Sequence, residues 1–173
     1  MAASLVVTVV GPDRPGIVNQ LSDVARRFGA NWAASRMASL AGQFAGMVHF
    51  EVNERDADAL VSALEELTAS GLQVVIARGQ ARADTAPARH IRLSLVGNDR
   101  PGIVRDLSAC LARRGVSIDE LQTTIESAPM SAEPLFRFEA ELAVPASVGD
   151  DDLRRELEAL ANELMVDLEV KDD

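Results

Sequence analysis

The segment VGPDRPGIVNQLSDVARRFG, Val10 to Gly29, returns as VGNDRPGIVRDLSACLARRG, Val96 to Gly115, with every residue number raised by 86. Gly11 matches Gly97, Asp13 matches Asp99 and Arg14 matches Arg100. Pro15, Gly16 and Ile17 likewise match Pro101, Gly102 and Ile103. The chain therefore holds a duplicated domain. Two copies are too few to stack as a solenoid, which needs about three units to bury its faces, so each copy closes its own core or leans on its sister.

Outward from that segment the same order of elements emerges twice. Leu5 to Val10 is a β-branched run ended by Gly-Pro, the mark of a buried strand. Ile17, Val18, Leu21, Val24, Ala25 and Phe28 then recur at helical spacing, and Gly29 stops the helix. Asn31 to Leu40 is weakly extended, Gly42 turns the chain, and Phe44, Val48, Phe50 and Val52 alternate with Met47, His49 and Glu51. Asp56 to Ser70 stripes Leu60, Leu64 and Leu67 along a second helix, and Leu72 to Ile76 supplies a last strand. In the second copy the strands fall around Ile91 to Leu95, Phe136 to Leu142 and Val166 to Val170. Its helix faces run through Ile103, Val104, Leu107, Cys110 and Leu111, then Leu153, Leu157 and Leu160. Pro129 and Pro134 mark a longer loop between its second and third strands.

This order, βαββαβ repeated, predicts an α+β class of two ferredoxin-like domains. Each is a four-stranded antiparallel sheet with both helices on one face, as right-handed crossovers require. Gly79 to Arg89 reads GQARADTAPAR, with no large apolar residue, and is expected to be a surface linker. The expected domains are 1–79 and 90–173, joined by 80–89. Units of about 80 residues are marginal alone, so they are expected to pack together, with Trp32 helping to fill the contact.

Composition narrows the functions. Only 3% of residues are aromatic, with no Tyr, so base-stacking platforms have little material. Seventeen basic against 27 acidic residues give a net charge of -10, and no stretch forms the basic stripe that direct nucleic-acid binding needs. A regulator of this composition would act through another protein or a small ligand. One cysteine allows no intrachain disulfide, and no Cys/His cluster has metal-ligand spacing, so neither a metal nor a cofactor is expected. Cys110, among apolar helical neighbours, reads as a buried thiol. The opening MAASLVVTVVGPDR lacks a basic stretch before its apolar run and reads as a strand. No apolar run reaches the roughly 18 residues of a membrane span, and a cytoplasmic location is expected.

The motif written twice, G-x-D-R-P-G-I-V, joins strand to helix. Gly allows close approach, Pro fixes φ at an early helical position, and Asp before it is expected to cap free N–H groups. These are also ordinary helix-start signals. Exposed amides at the positive end of a helix attract a carboxylate or phosphate, and the loop adds a carboxylate and a guanidinium of its own. A zwitterionic amino acid suits that mixture. Nucleotides suit it poorly, because the loop has neither the phosphate lysine of G-x-x-x-x-G-K-S/T nor the spacing of G-x-G-x-x-G.

GPDRPGIV and GNDRPGIV, each followed by an amphipathic helix and then GANW or GVSI, resemble paired ACT domains of the glycine cleavage system transcriptional repressor type. The resemblance covers nearly the whole chain. It implies ligand-responsive regulation with a small amino acid, glycine being the first candidate, and control of a DNA-binding activator by protein contact. It places the ligand on Gly11, Asp13, Arg14, Pro15, Gly16 and Ile17, and on Gly97, Asp99, Arg100, Pro101, Gly102 and Ile103. Asn31 is a further candidate at the start of the second strand. Its counterpart is Ser117, so the two sites are expected to differ.

Two alternatives stay open: an interaction module without ligand whose sheets serve assembly, including a homo-oligomer, and the ACT regulator of a metabolic enzyme. Catalysis is not expected. His49 and His90 are the only histidines, and neither stands at a nucleophile spacing from an acid, Ser or Cys. Asp150 to Asp152 read as a helix start and Asp172 to Asp173 as a solvated tail, not as metal ligands.

Overall fold

The computed structural model describes residues 2–79, 88–127 and 134–172. The chain divides into two compact units, Met1–Ala83 and Asp84–Asp173. The first runs β1 (Ala2–Pro12), α1 (Ile17–Arg27), β2 (Asn31–Leu40), β3 (Gln43–Asn53), α2 (Glu54–Glu65) and β4 (Gln73–Arg78). The second runs β5 (Ala88–Asn98), α3 (Ile103–Arg113), β6 (Ser117–Ser127), β7 (Pro134–Pro145), α4 (Asp150–Leu164) and β8 (Val166–Asp172). The sheets are ordered β2-β3-β1-β4 and β6-β7-β5-β8, antiparallel throughout. The expected ferredoxin-like topology is present in both. A β-bulge between Trp32 and Ala34 recurs between Ile118 and Glu120, so the twinning extends to a local irregularity.

Each core lies between the helices and one sheet face. Leu5, Val7 and Val9 from β1 meet Ile17, Leu21 and Val24 of α1 and Leu60 and Leu64 of α2. Phe50 and Phe138 are fully buried, one in each core, each burial worth about 1.5–3 kcal/mol relative to exposure. Trp32 meets Phe50 edge-on, with ring centroids 5.3 Å apart, and packs on the first unit's own core. Cys110 is buried as expected.

Several boundaries differ from expectation. Residues 80–87 of the expected linker lie outside the described residues, and so do 128–133 of the long loop. Ala88 and Arg89, assigned to the linker, already pair with Pro145 and Val144 in the sheet. The second helix ends early: Glu66–Ser70 is a 3-10 turn in which the Thr68 and Ser70 hydroxyls donate to the carbonyls of Glu65 and Leu67, and Gly71 closes it at φ 87°. Such local bonds compete with α-helical ones. Val18 and Val104 do not join the buried faces but stand exposed in the first turns of α1 and α3. Asp150, Asp151 and Asp152 form the first turn of α4, as a helix macrodipole favours. No helix among the described residues is long and apolar enough to cross a membrane.

Candidate functional site

The twin loops sit where β1 and β5 hand over to α1 and α3. Gly11 and Gly97 are explained by packing. A Cβ on Gly11 would lie 2.8 Å from Leu72 Cδ2 and 3.1 Å from the Gly71 carbonyl. On Gly97 it would lie 2.4 Å from Val166 Cγ1 and 3.2 Å from its Cα. Both glycines let the last strand close against the first. Pro15 and Pro101 stand one residue before the helix cap, not inside the first turn as expected. Gly16 at φ 94°, ψ -1° and Gly102 at φ 103°, ψ -14° occupy the third position of a type II turn, where Pro precedes and only glycine is at ease. Neither has a close neighbour that would block a Cβ. Backbone conformation alone therefore demands glycine there.

Those glycines are the N-caps. The Gly16 carbonyl accepts from the Gln20 amide at 2.9 Å and the Gly102 carbonyl from the Asp106 amide at 2.9 Å. No side chain caps either helix. The capping expected of Asp13 does not occur, because the Pro-Gly turn carries the chain away from it. Its carboxylate instead accepts from the Ser39 hydroxyl at 2.5 Å, and its amide donates to the Gly42 carbonyl at 2.9 Å. Ala41 at φ 49° and Gly42 at φ 77° form the two-residue turn of the β2–β3 hairpin, which brings Ser39 alongside. Arg14, half-buried, donates from Nη2 to Gln20 Oε1 at 3.1 Å and to the Ser70 carbonyl at 3.3 Å. Three elements thus frame one exposed helix N-terminus whose first-turn amides face outward.

The second loop keeps the backbone and changes the side chains. Register places Ile125 where Ser39 stands, since each pairs with the phenylalanine opposite Gly11 or Gly97. Asp106 replaces Gln20 and puts an acidic group in the first turn of α3, whereas α1 has none there. Its carboxylate meets Arg105 at 3.2 Å. The Asp99 amide donates to the Pro134 carbonyl at 3.1 Å, while Asp99 and Arg100 themselves are exposed. Ile17 and Ile103 point inward and are buried.

Asn31 lies at the other end of its sheet. It pairs with Glu51, which pairs with Ser4, seven residues along β1 from Gly11, or about 23 Å at strand rise. Within the first unit Asn31 does not join the loop. Its amide donates to Glu51 Oε2 at 3.4 Å.

Ser39, Gln20 and Ser70 were not legible as loop partners, because only the hairpin register and the end of the 3-10 turn bring them there. A second juxtaposition was also missed: Ser4 Oγ lies 2.8 Å from His49 Nε2, across the β1–β3 pair, in an open depression of about 500 Å³ bordered by Glu54 and Arg78. Among the described residues no carboxylate orients the other ring nitrogen, so the arrangement is a cross-strand hydrogen bond and lacks the third group of a nucleophilic triad.

The groups with displaced protonation lie away from both loops. Burial, reinforced by Glu156, pushes the Cys110 thiol up. The Arg114 guanidinium, donating from Nε to Glu156 at 2.5 Å, holds that carboxyl below its usual range. No group of three metal-ligating side chains occurs among the described residues.

Two sheets of this topology, each with a Pro-Gly turn feeding an uncapped helix, define a tandem βαββαβ protein. A sequence model of the ACT domain matches residues 3–76, the span of the first unit. The chain is 25% identical over 162 residues to the glycine cleavage system transcriptional repressor of Escherichia coli K12, covering 92% of this chain and 85% of that one. The crystal structure of an unknown protein from Galdieria sulphuraria is similar along the whole chain, at 33% identity, TM-score 0.88 and 99% coverage of that protein. A solved structure described provisionally as a glycine cleavage system transcriptional repressor shares the fold, at 21% identity and TM-score 0.71, covering 100% of this chain and 99% of that one.

Proposed function

We propose that this protein is a non-enzymatic regulator that senses a small amino acid, with glycine the first candidate, and controls a transcriptional activator by protein contact. One observation carries the reading: α1 begins at an exposed glycine with no side-chain cap, beside an aspartate and an arginine that other residues hold in place. A ligand carboxylate would take the free amides of Ile17, Val18 and Asn19, favoured by the helix dipole. Its ammonium would take the Asp13 carboxylate. Glycine's lack of a side chain suits a notch walled by a hairpin turn and the Ser70–Gly71 backbone. The similarity to a named repressor supports a regulatory role, and the net charge of -10 supports action through a protein and not on DNA directly. Ligand can bias such a regulator only through different affinities for its two states.

The first loop is assigned the tighter site, because Asp106 already occupies the field at α3. Calorimetry with glycine, alanine, serine and larger amino acids tests the assignment. Asp13→Ala is expected to weaken binding of the preferred ligand about tenfold or more, and Asp99→Ala to do much less. Absence of heat with every amino acid at millimolar concentration overturns the sensor and leaves a ligand-free interaction module.

A further inference from the structure

The twin loops share a backbone, but the residues beside them differ in kind. At the first loop the flanking places are small: Ser39, near the end of β2, and Gly71, which closes the 3-10 turn. Register fixes their twins. Ser39 pairs with Phe44 and Ile125 with Phe136, each phenylalanine lying opposite the strand glycine of its loop. Gly71 precedes Leu72, the residue packed on Gly11, and Met165 precedes Val166, the residue packed on Gly97. Serine and glycine beside the first loop thus become isoleucine and methionine beside the second.

Both of these large side chains stand open. Ile125 is 63% exposed and Met165 80% exposed, and neither packs on the second unit's core. Val104, in the first turn of α3, is exposed as well. Folding does not select the methionine, since Met165 sits at φ 53°, ψ 50°, in the left-handed region that its twin fills with glycine at φ 87°. Glycine holds that conformation at lower cost. The charged groups of the second loop are open too. Among the described residues the Asp99 carboxylate and the Arg100 guanidinium make no hydrogen bond or ion pair, whereas Asp13 and Arg14 are both held.

Given the sensor reading of the loops, on which this rests, we infer that Ile125 and Met165 are specificity-determining residues, and that the second loop takes an amino acid with a large aliphatic side chain, of leucine's class. The ligand's carboxylate and ammonium meet the same groups at either loop, the first-turn amides and the aspartate, so the polar contacts do not discriminate. The side chain does. At α3 it covers apolar surface on Ile125 and Met165, and a flexible thioether adapts to its shape. At α1 Ser39 offers a hydroxyl already donated to Asp13, and Gly71 offers no side chain at all. The two halves therefore report on different ligands, a small amino acid at α1 and a large aliphatic one at α3.

Amide-resolved NMR of the full chain, titrated separately with glycine and L-leucine, reads an affinity at each loop. Leucine is expected to shift Ile103, Val104 and Arg105 saturably, and to bind there about tenfold or more tighter than at Ile17, Val18 and Asn19. Ile125→Ser and Met165→Gly give the second loop the first loop's side chains at exposed positions. Each is expected to weaken leucine there about tenfold, and melting curves no lower than wild type confirm that the variants fold. Glu139→Gln, an exposed change on the sheet face away from the helices, is expected to alter neither titration. Leucine bound equally at both loops overturns the inference while the sensor stands, and so does leucine affinity that both variants leave intact. Glycine shifts at the first loop without any leucine response at the second have the same force. Silence of both loops toward every amino acid overturns the sensor reading and this selectivity together.

Discussion

Replacing Gly16 by alanine isolates the backbone conformation of the first loop. Nothing lies within 4 Å of the position a Cβ would take, so no clash contributes. The whole cost is that of holding an L-residue at φ 94°, ψ -1°, about 1–2 kcal/mol. For a unit of about 80 residues each kcal/mol lowers the melting temperature by about 4–8 °C, so the first transition is expected about 4–16 °C lower. Calorimetric melting of the full chain, with Gly102→Ala as the twin at φ 103°, checks both loops at once. Gly16→Asn is expected to recover part of the loss, since Asn tolerates the left-handed region best among non-glycine residues. Equal melting of wild type and Gly16→Ala would refute the strained-turn description and with it the preorganisation of the helix N-terminus.

Three further outcomes follow from the cores and the shifted groups. Phe50→Ala is expected to cost about 3–5 kcal/mol and to lower the first unit's transition while sparing the second. Because the folded Cys110 thiol is raised, its contribution is full below the unfolded thiol value and is lost as pH climbs through the folded one. Stability should therefore fall above about pH 9, less steeply in Cys110→Ala, and native Cys110 should react with thiol reagents only on unfolding. Glu156 is lowered, so its contribution is present above the unfolded carboxylate value and disappears as pH falls through the folded one. Glu156→Gln should cost at most about 1 kcal/mol at pH 7 and progressively less as the pH falls below the ordinary carboxylate range, by urea titration across that range.

The repeat and its periodicities made the strand and helix order legible, because the buried alternation Phe44, Val48, Phe50, Val52 and the helical pair Leu60 and Leu64 report burial directly. Val18 misled, since it lies about 100° round the helix from Ile17, and of the two only Ile17 faces the core. Asp13 misled in another way. A carboxylate before a helix normally reads as a cap, yet the Pro15–Gly16 turn redirects the backbone and gives the cap to glycine. The partners that fix the loop, Ser39 and Ser70, are distant in sequence and depend on hairpin register. Asn31 shows the converse, being named by position in a motif and placed by topology at the far end of the sheet.

Amide-resolved NMR of the full chain titrated with glycine to millimolar concentration puts the central proposition to the most direct test. Saturable shifts at Ile17, Val18 and Asn19, larger than at Ile103, Val104 and Arg105, are the predicted result. Shifts confined to other regions, or none with glycine and each of the other small amino acids, would contradict it.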